Sequence, residues 1–145
     1  MCKIYVASSW KNKYQELVVQ IARTYGCEVF DFKNPPGVER VFSWSDIQSG
    51  WELWTTEEYI KALRHPAAQA CFESAHEGMV WADIGILVLP CGRSGHLEAG
   101  WMKGIGMPVY VFSPEIIEPE LMYKLLGEII PTWRDLCEKL QQLSV

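Results

Sequence analysis

The segment Ala-Asp-Ile-Gly-Ile-Leu-Val-Leu-Pro-Cys-Gly-Arg-Ser-Gly-His-Leu-Glu-Ala-Gly-Trp at 82–101 constrains the fold more than any other. A short apolar run bounded by Asp83 and Pro90 fits a parallel strand covered on both faces. A small-residue loop, Cys91–Gly95, follows it, and then a helix opening with His96 and Glu98 in its first turn. Such a loop at a helix N-terminus offers N–H groups and a positive dipole end to an anion. A carboxylate there, at the carboxyl end of a sheet, sits where α/β proteins place ligands.

The rest of the chain repeats the strand–helix alternation. Strands are expected at Lys3–Ala7, Glu28–Phe32, Ile84–Leu89, Pro108–Phe112 and Glu128–Ile130. The apolar spacing of Leu17, Val18, Ile21, Ala22 and Tyr25 predicts a helix over Asn12–Tyr25, closed by Gly26. Thr55-x-x-Glu58 caps a short helix to Leu63, and Pro66 starts another to Trp81. Helices are also expected at His96–Gly104, at Pro119–Leu126 and from the Thr132 cap to Leu143. Residues Gly37–Trp54 form a long loop, and Gly104-Ile105-Gly106 reads as a turn.

Parallel neighbours need helical crossovers. The expected fold is therefore α/β: a three-layer Rossmann-like or flavodoxin-like domain with a five-stranded parallel sheet, one domain over 1–145. With strands one and three central, a crevice opens between them. Ala7, Ser8, Ser9 and Trp10 would line it, with Asp31–Asn34 and Cys91–Glu98.

Composition narrows the partners. The formal net charge is −5, with no basic run, which argues against a nucleic-acid polymer. No apolar stretch approaches the ~20 residues of a membrane span, so no membrane partner is expected. The N-terminus reads as a strand and not as a signal peptide. The five cysteines are scattered without a CxxC pair, as reduced thiols in a cytoplasmic protein would be. Cys91 reads as a small residue at a strand end. No ligand cluster or dinucleotide fingerprint appears, so no metal or cofactor is implied.

Ile4-Tyr5-Val6-Ala7-Ser8-Ser9-Trp10, the strand at 82–90 and Ser94-Gly95-His96-Leu97-Glu98-Ala99-Gly100 resemble the nucleoside 2-deoxyribosyltransferase superfamily. That group includes deoxynucleoside 5′-monophosphate N-glycosidases and cytidylate hydrolases. Ala-Ser-Ser-Trp near the start, Gly-Arg-Ser-x-His-Leu-Glu in the middle and Glu118-Pro119-Glu120-Leu121-Met122-Tyr123 late echo one branch of it. The resemblance implies a nucleoside or nucleotide as small-molecule partner. It implies Glu98 as a nucleophile attacking C1′, and Tyr5 as the hydroxyl that orients it. Gly92, Arg93, Ser94 and the N–H groups around Gly95 would hold a 5′-phosphate. It also implies a homodimer in which Met122 and Tyr123, on an amphipathic helix, reach the other protomer's site.

The transferases carry an acidic residue shortly before the nucleophile, where this chain has Gly92. They also carry an aspartate on the helix before strand three, where it has Ala75 between Glu73 and Glu77. Three functions stay open: an N-glycosidase on a nucleoside 5′-monophosphate, a base-exchanging 2-deoxyribosyltransferase, and a non-catalytic nucleotide binder. The departures fit the first and third better than the second.

Each residue also has a plainer reading. Glu98 suits a helix first turn for its dipole alone. Tyr5 suits a core, Arg93 a solvated loop, and His96 a solvent-facing helix start as against a proton donor to the base. Asp83 orients its strand, and His65 and His76 show no partner. Trp10 is placed to stack on a nucleobase, and Trp44 stands evenly between stacking and packing. Trp51 and Trp54 read as packing.

Overall fold

A computed structural model describes residues 2–38, 41–115 and 118–144. The chain runs β1 (Lys3–Ala7), α1 (Gln15–Thr24), β2 (Glu28–Asp31), α2 (Thr56–Leu63), α3 (Pro66–Trp81), β3 (Ile84–Val88), α4 (Arg93–Gly104), β4 (Val109–Phe112), β5 (Ile129–Ile130) and α5 (Trp133–Leu143). The sheet has five strands in the order β2-β1-β3-β4-β5, every pair parallel. This is the α/β architecture expected, with β1 and β3 side by side inside the sheet.

Strand alternation separates two cores. Ile4 and Val6 of β1 face α1 and α5, where Val18, Val19, Ala22, Leu136 and Leu140 cover them. Tyr5 and Ala7 face the other way, under Met79 of α3 and Ala99 and Met102 of α4. Among the described residues, no helix is long and apolar enough to cross a membrane.

The height of α4 above the sheet is set by a glycine. A Cβ at Gly85 of β3 would lie 2.7 Å from Met102 Cε, so the methionine occupies the space the side chain leaves free. Gly85 is the register partner of Tyr5. One helical turn before Met102, Glu98 is thereby lowered toward Tyr5.

Several boundaries differ from expectation. Helix α1 starts at Gln15, because the Asn12 side-chain oxygen takes the Tyr14 and Gln15 N–H groups at 2.7 and 2.9 Å. Its buried stripe is Gln15, Val18, Val19 and Ala22, which leaves Leu17 at the surface. The long loop contains two single 3-10 turns, Trp44–Asp46 and Trp51–Leu53. Its residues 39 and 40 lie outside the described residues.

The helix expected at Pro119–Leu126 is only a 3-10 stretch, Leu121–Leu125. Here the sheet edge reclaims the chain: the Gly127 N–H donates to the Val109 carbonyl at 2.7 Å. A Cβ at Gly127 would come within 2.5 Å of that same oxygen. The Thr55–Glu58 capping box and Pro66 at the start of α3 are found where the sequence placed them.

Helix α4 begins three residues earlier than expected. Gly92 is its N-cap, so Arg93, Ser94 and Gly95 are the first helical turn and not a loop. Packing overrides the weak helix propensity of Ser and Gly here. A Cβ on Gly95 would sit 2.2 Å from Cys91 Sγ and 3.4 Å from the Ser8 backbone. Glu98 therefore falls in the second turn, and α4 has no acidic residue in its first. A dipole role for it loses force, since that effect fades within the first turn.

Candidate active site

Tyr5 has no solvent exposure, and its ring stacks on Phe30 of the neighbouring strand at 5.0 Å and 7°. Its hydroxyl donates to Glu98 Oε2. Burial, and then the Glu98 charge, push the phenol upward, so it stays protonated and able to donate. Burial also raises the Glu98 carboxyl above the ordinary carboxylate range, and the Tyr5 hydrogen bond draws it part way back. Among the described residues no cation forms an ion pair with Glu98. The result is a half-buried carboxylate held in one orientation by a neutral donor, with an oxygen left for other chemistry.

The thiols beside it are quiet. Burial, and then the Glu98 charge, push Cys91 up to about 11, while the Gly95 N–H lowers it. Cys71 of α3 is raised for the same two reasons. Neither is a thiolate near neutral pH.

The loop after β1 is tied to the end of β3. Ser8 is buried, and its hydroxyl donates to the Val88 carbonyl at 2.9 Å. Asn12 donates to the Val88 and Pro90 carbonyls at 3.3 and 2.9 Å while capping α1 with its oxygen. Asn12 is 4% exposed and is the structural residue the sequence reading missed. The spacing Asn12-x-x-Gln15 before an apolar helix carried the signal. Asn12→Ala leaves the Pro90 carbonyl and the α1 N-terminus without these partners, and leaves the Val88 carbonyl to Ser8 alone. It is expected to cost about 2–4 kcal/mol in denaturant unfolding.

At the N-terminus of α4, Gly92, Arg93 and Ser94 are exposed. The first backbone N–H groups of a helix have no intrahelical acceptor, so those of Arg93 and Ser94 can meet an anion. The Gly95 N–H faces the Cys91 sulfur instead. Ser9 accepts the Asn12 N–H through its carbonyl at 3.1 Å.

Asp31 is buried and fully engaged. Gln15 Nε2 and the Lys33 N–H donate to one oxygen at 2.8 and 3.0 Å, and Asn34 Nδ2 donates to the other at 3.0 Å. Burial raises its carboxyl, but the hydrogen bonds from Asn34, Gln15 and Lys33 outweigh it and hold the group below the usual range. Asp31 and Asn34 thus shape the crevice wall by bonding each other.

Trp10 stands at the crevice mouth, 53% exposed, edge-on to Phe32 at 5.5 Å and with Lys33 Nζ 5.7 Å from its ring centre. Across from it, Val41, Phe42, Ser43 and Trp44 complete the lining of a cavity of about 440 Å³. Trp44 packs edge-on against Phe42, Trp54 and Tyr59, and it also lines this cavity. Trp54 also donates to Gln48 Oε1 at 3.1 Å.

His96 and Glu98 are separated by about 200° around the helix. Glu98 turns to Tyr5, whereas His96 turns to Tyr123, with ring centres 5.6 Å apart and nearly parallel. His96 Nδ1 lies 2.7 Å from the Gly92 carbonyl, which requires a hydrogen on that nitrogen. Nε2 lies 2.9 Å from the Tyr123 hydroxyl. With Met122, Lys103, Glu118 and Glu120, these residues line a second cavity of about 720 Å³. The expected site residues thus form two groups on opposite sides of α4, and His96 does not face its own Glu98.

The other two histidines do have partners. His65 Nδ1 accepts the Ala67 N–H at 3.0 Å as the cap of α3, and His76 stacks on Phe72 and meets Trp101 at a tilt. Asp83 accepts the Lys3 N–H at 3.3 Å, which orients the strand start as expected. Among the described residues no His, Cys, Asp and Glu cluster has the makings of a metal site.

The fold defines an α/β class with known members. Across 95% of both chains it is similar to a 2-deoxyribosyltransferase from Bacillus psychrosaccharolyticus, with a TM-score of 0.66 and 24% identity. A conserved protein from Enterococcus faecalis V583 is similar at TM-score 0.63 and 15% identity over 98% of both chains. The CMP N-glycosidase of Clostridium botulinum is similar at 0.54 and 14% over 99% of both. No family model matches the chain, and no curated protein matches its sequence. The chain has the nucleoside 2-deoxyribosyltransferase-like fold, as its sequence resemblance implied.

Proposed function

We propose that this chain, acting as one domain, is an N-glycosidase that cleaves the base–sugar bond of a nucleoside 5′-monophosphate. The hydrogen-bonded Tyr5–Glu98 pair carries the reading. In the first step a Glu98 oxygen bonds to C1′ as the C1′–N bond breaks, and the base leaves with that electron pair. Tyr5 keeps its proton throughout and holds the carboxylate in line. In the second step water adds to C1′, Glu98 leaves with its electrons, and the water proton passes to solvent. The base takes its proton from solvent as well, since His96 is turned away. Two displacements at one carbon retain its configuration.

The exposed turn Gly92–Ser94 is assigned to the 5′-phosphate, with Arg93 as its cation. Ser8, Ser9 and Trp10 flank the sugar and base. Hydrolysis is preferred to base exchange because Ala75 and Gly92 leave no carboxylate to manage an incoming base. Chromatography of free base from nucleosides, 5′-monophosphates and NAD tests this against Glu98→Ala. Release that needs both a phosphate and Glu98 supports it. Release only with an added acceptor base favours the transferase, and binding without release favours the non-catalytic reading.

The protein is read as a homodimer. Phe72, His76 and Val80 on α3, and Leu97 and Trp101 on α4 with Ile105 just past its end, form two rows four residues apart, joined where His76 meets Trp101 at 5.1 Å. Five of the six are large apolar side chains at the surface, Leu97 at 75% exposed. Such a face suits a second copy of this chain. Met122, Tyr123 and His96, which do not serve their own Glu98, are then free to serve the partner's. Leu97→Glu is expected to yield a folded monomer in sedimentation velocity; an unchanged dimer would contradict this face.

A further inference from the structure

A run of hydrogen bonds leads from Tyr123 to the turn assigned to the phosphate, and the glycosidase steps use none of it. Tyr123 packs against the core that holds Ala99 and Met102. Its stretch of chain is fastened to the sheet by the Gly127 N–H on the Val109 carbonyl at 2.7 Å. The Tyr123 hydroxyl lies 2.9 Å from His96 Nε2, and His96 Nδ1 lies 2.7 Å from the Gly92 carbonyl. That carbonyl requires a hydrogen on Nδ1. In the neutral imidazole Nε2 is then the acceptor, and the Tyr123 O–H donates to it. Burial raises the Tyr123 phenol above its ordinary value, so it keeps the proton it donates.

What these bonds fix is one peptide plane. The Gly92–Arg93 peptide is trans, so its C=O and its N–H point in opposite directions. Holding the Gly92 carbonyl toward His96 therefore aims the Arg93 N–H out of the helix end, where an anion can meet it. Little else holds this plane. The Gly92 cap makes no side-chain hydrogen bond, and a Cβ there would meet no atom of the described residues within 4 Å. Glycine is the residue freest to rotate, helix ends fray, and Ser94 and Gly95 are weak helix formers. An N-cap carbonyl accepts the first intrahelical bond in any helix. Here His96 supplies a second, from a ring stacked on Tyr123 with centres 5.6 Å apart.

We infer that His96 and Tyr123 are positioning residues for a 5′-phosphate, which hold the Gly92–Arg93 peptide so that its N–H donates to the phosphate. The inference rests on the assignment of the phosphate to Gly92–Ser94, and not on base release. Neither side chain is asked to touch the substrate. The loss on removing either is therefore confined to ligands that carry the phosphate.

Titration calorimetry on a Glu98→Gln background, which does not turn over, tests this. The four common 2′-deoxynucleoside 5′-monophosphates are compared with their nucleosides, and the pair bound most tightly is carried through the variants. The parent is expected to favour the nucleotide about 100-fold. His96→Gln places its amide near Nε2, out of reach of Gly92, and should cut that ratio about tenfold with nucleoside affinity unchanged. Tyr123→Phe keeps the stacked ring but frees the imidazole proton to change nitrogens, and should cut it about threefold. His96→Asn places an amide N–H where Nδ1 stands, and should keep the ratio within about twofold of the parent. Equal losses for nucleoside and nucleotide would mean that the pair acts on the base or on the fold, and would overturn the inference. So would an unchanged ratio in His96→Gln or Tyr123→Phe, a His96→Asn as impaired as His96→Gln, or a parent with no preference for the nucleotide. If Arg93→Ala abolishes the preference and His96→Gln leaves it intact, the phosphate assignment stands and the inference alone falls. The expected pattern, with no base released by the chain that keeps Glu98, upholds the inference and sinks the glycosidase reading alone.

Discussion

Glu98→Gln is expected to abolish base release, by about 10³-fold or more, and at the same time to raise the melting temperature. The first effect follows because an amide cannot form and break the bond to C1′. The second follows from burial. The folded protein raises the Glu98 carboxyl above its ordinary value, so ionising it costs more in the fold than in the unfolded chain. That penalty is absent below the unfolded value near 4.5, grows as pH rises through the folded value, and is complete above it. Glutamine still accepts from Tyr5 and carries no charge. The gain should thus be larger at pH 8 than at pH 4, about 2–4 °C per kcal/mol recovered, and vanish near pH 4. Calorimetric scans of both proteins at pH 4 and 8 read it. A variant less stable than wild type at pH 8 would mean that the carboxylate is structural.

Tyr5→Phe should have the next largest effect, for a different reason. Phenylalanine keeps the stack on Phe30, so the strand pair should survive. What goes is the one hydrogen bond among the described residues that favours the ionised Glu98. The carboxyl then rises further, and the acid limb of the pH–rate profile moves to higher pH. Loss of orientation adds to this, and base release near neutrality is expected to fall about 10- to 100-fold. A profile of kcat against pH separates the two contributions. An unmoved acid limb would show that Tyr5 only fills space.

Much of the architecture was legible because strands and helices here obey simple periods. The buried run at Ile84–Val88, the Thr55–Glu58 box and Pro66 each specify an element by local chemistry. Boundaries failed where tertiary contacts decided them. Nothing local says that Ser94 and Gly95 are helical; the reason is the Ser8 backbone pressed against Gly95. Nothing local says that Leu126 leaves the helical path; the reason is the Val109 carbonyl waiting for Gly127.

The expected site residues divide in the same way. Tyr5 and Glu98 are 93 residues apart in the chain, and their meeting was implied by family resemblance and not by spacing. The separation of His96 from Glu98 was readable in principle, since two residues on a helix point apart. Asp31 was read only as a crevice residue, because its partners, Gln15 and Asn34, have no signature that marks them as such.

The central claim is that Glu98 bonds to the sugar. Intact-protein mass spectrometry after rapid acid quench, during turnover of a 5′-monophosphate that releases base, tests it most directly. The expected result is a mass increase of one sugar phosphate. Peptide mapping should place it on Glu98, and it should be missing from Glu98→Gln. Continued base release from a protein that never gains mass, or that carries the sugar on another residue, would contradict the account.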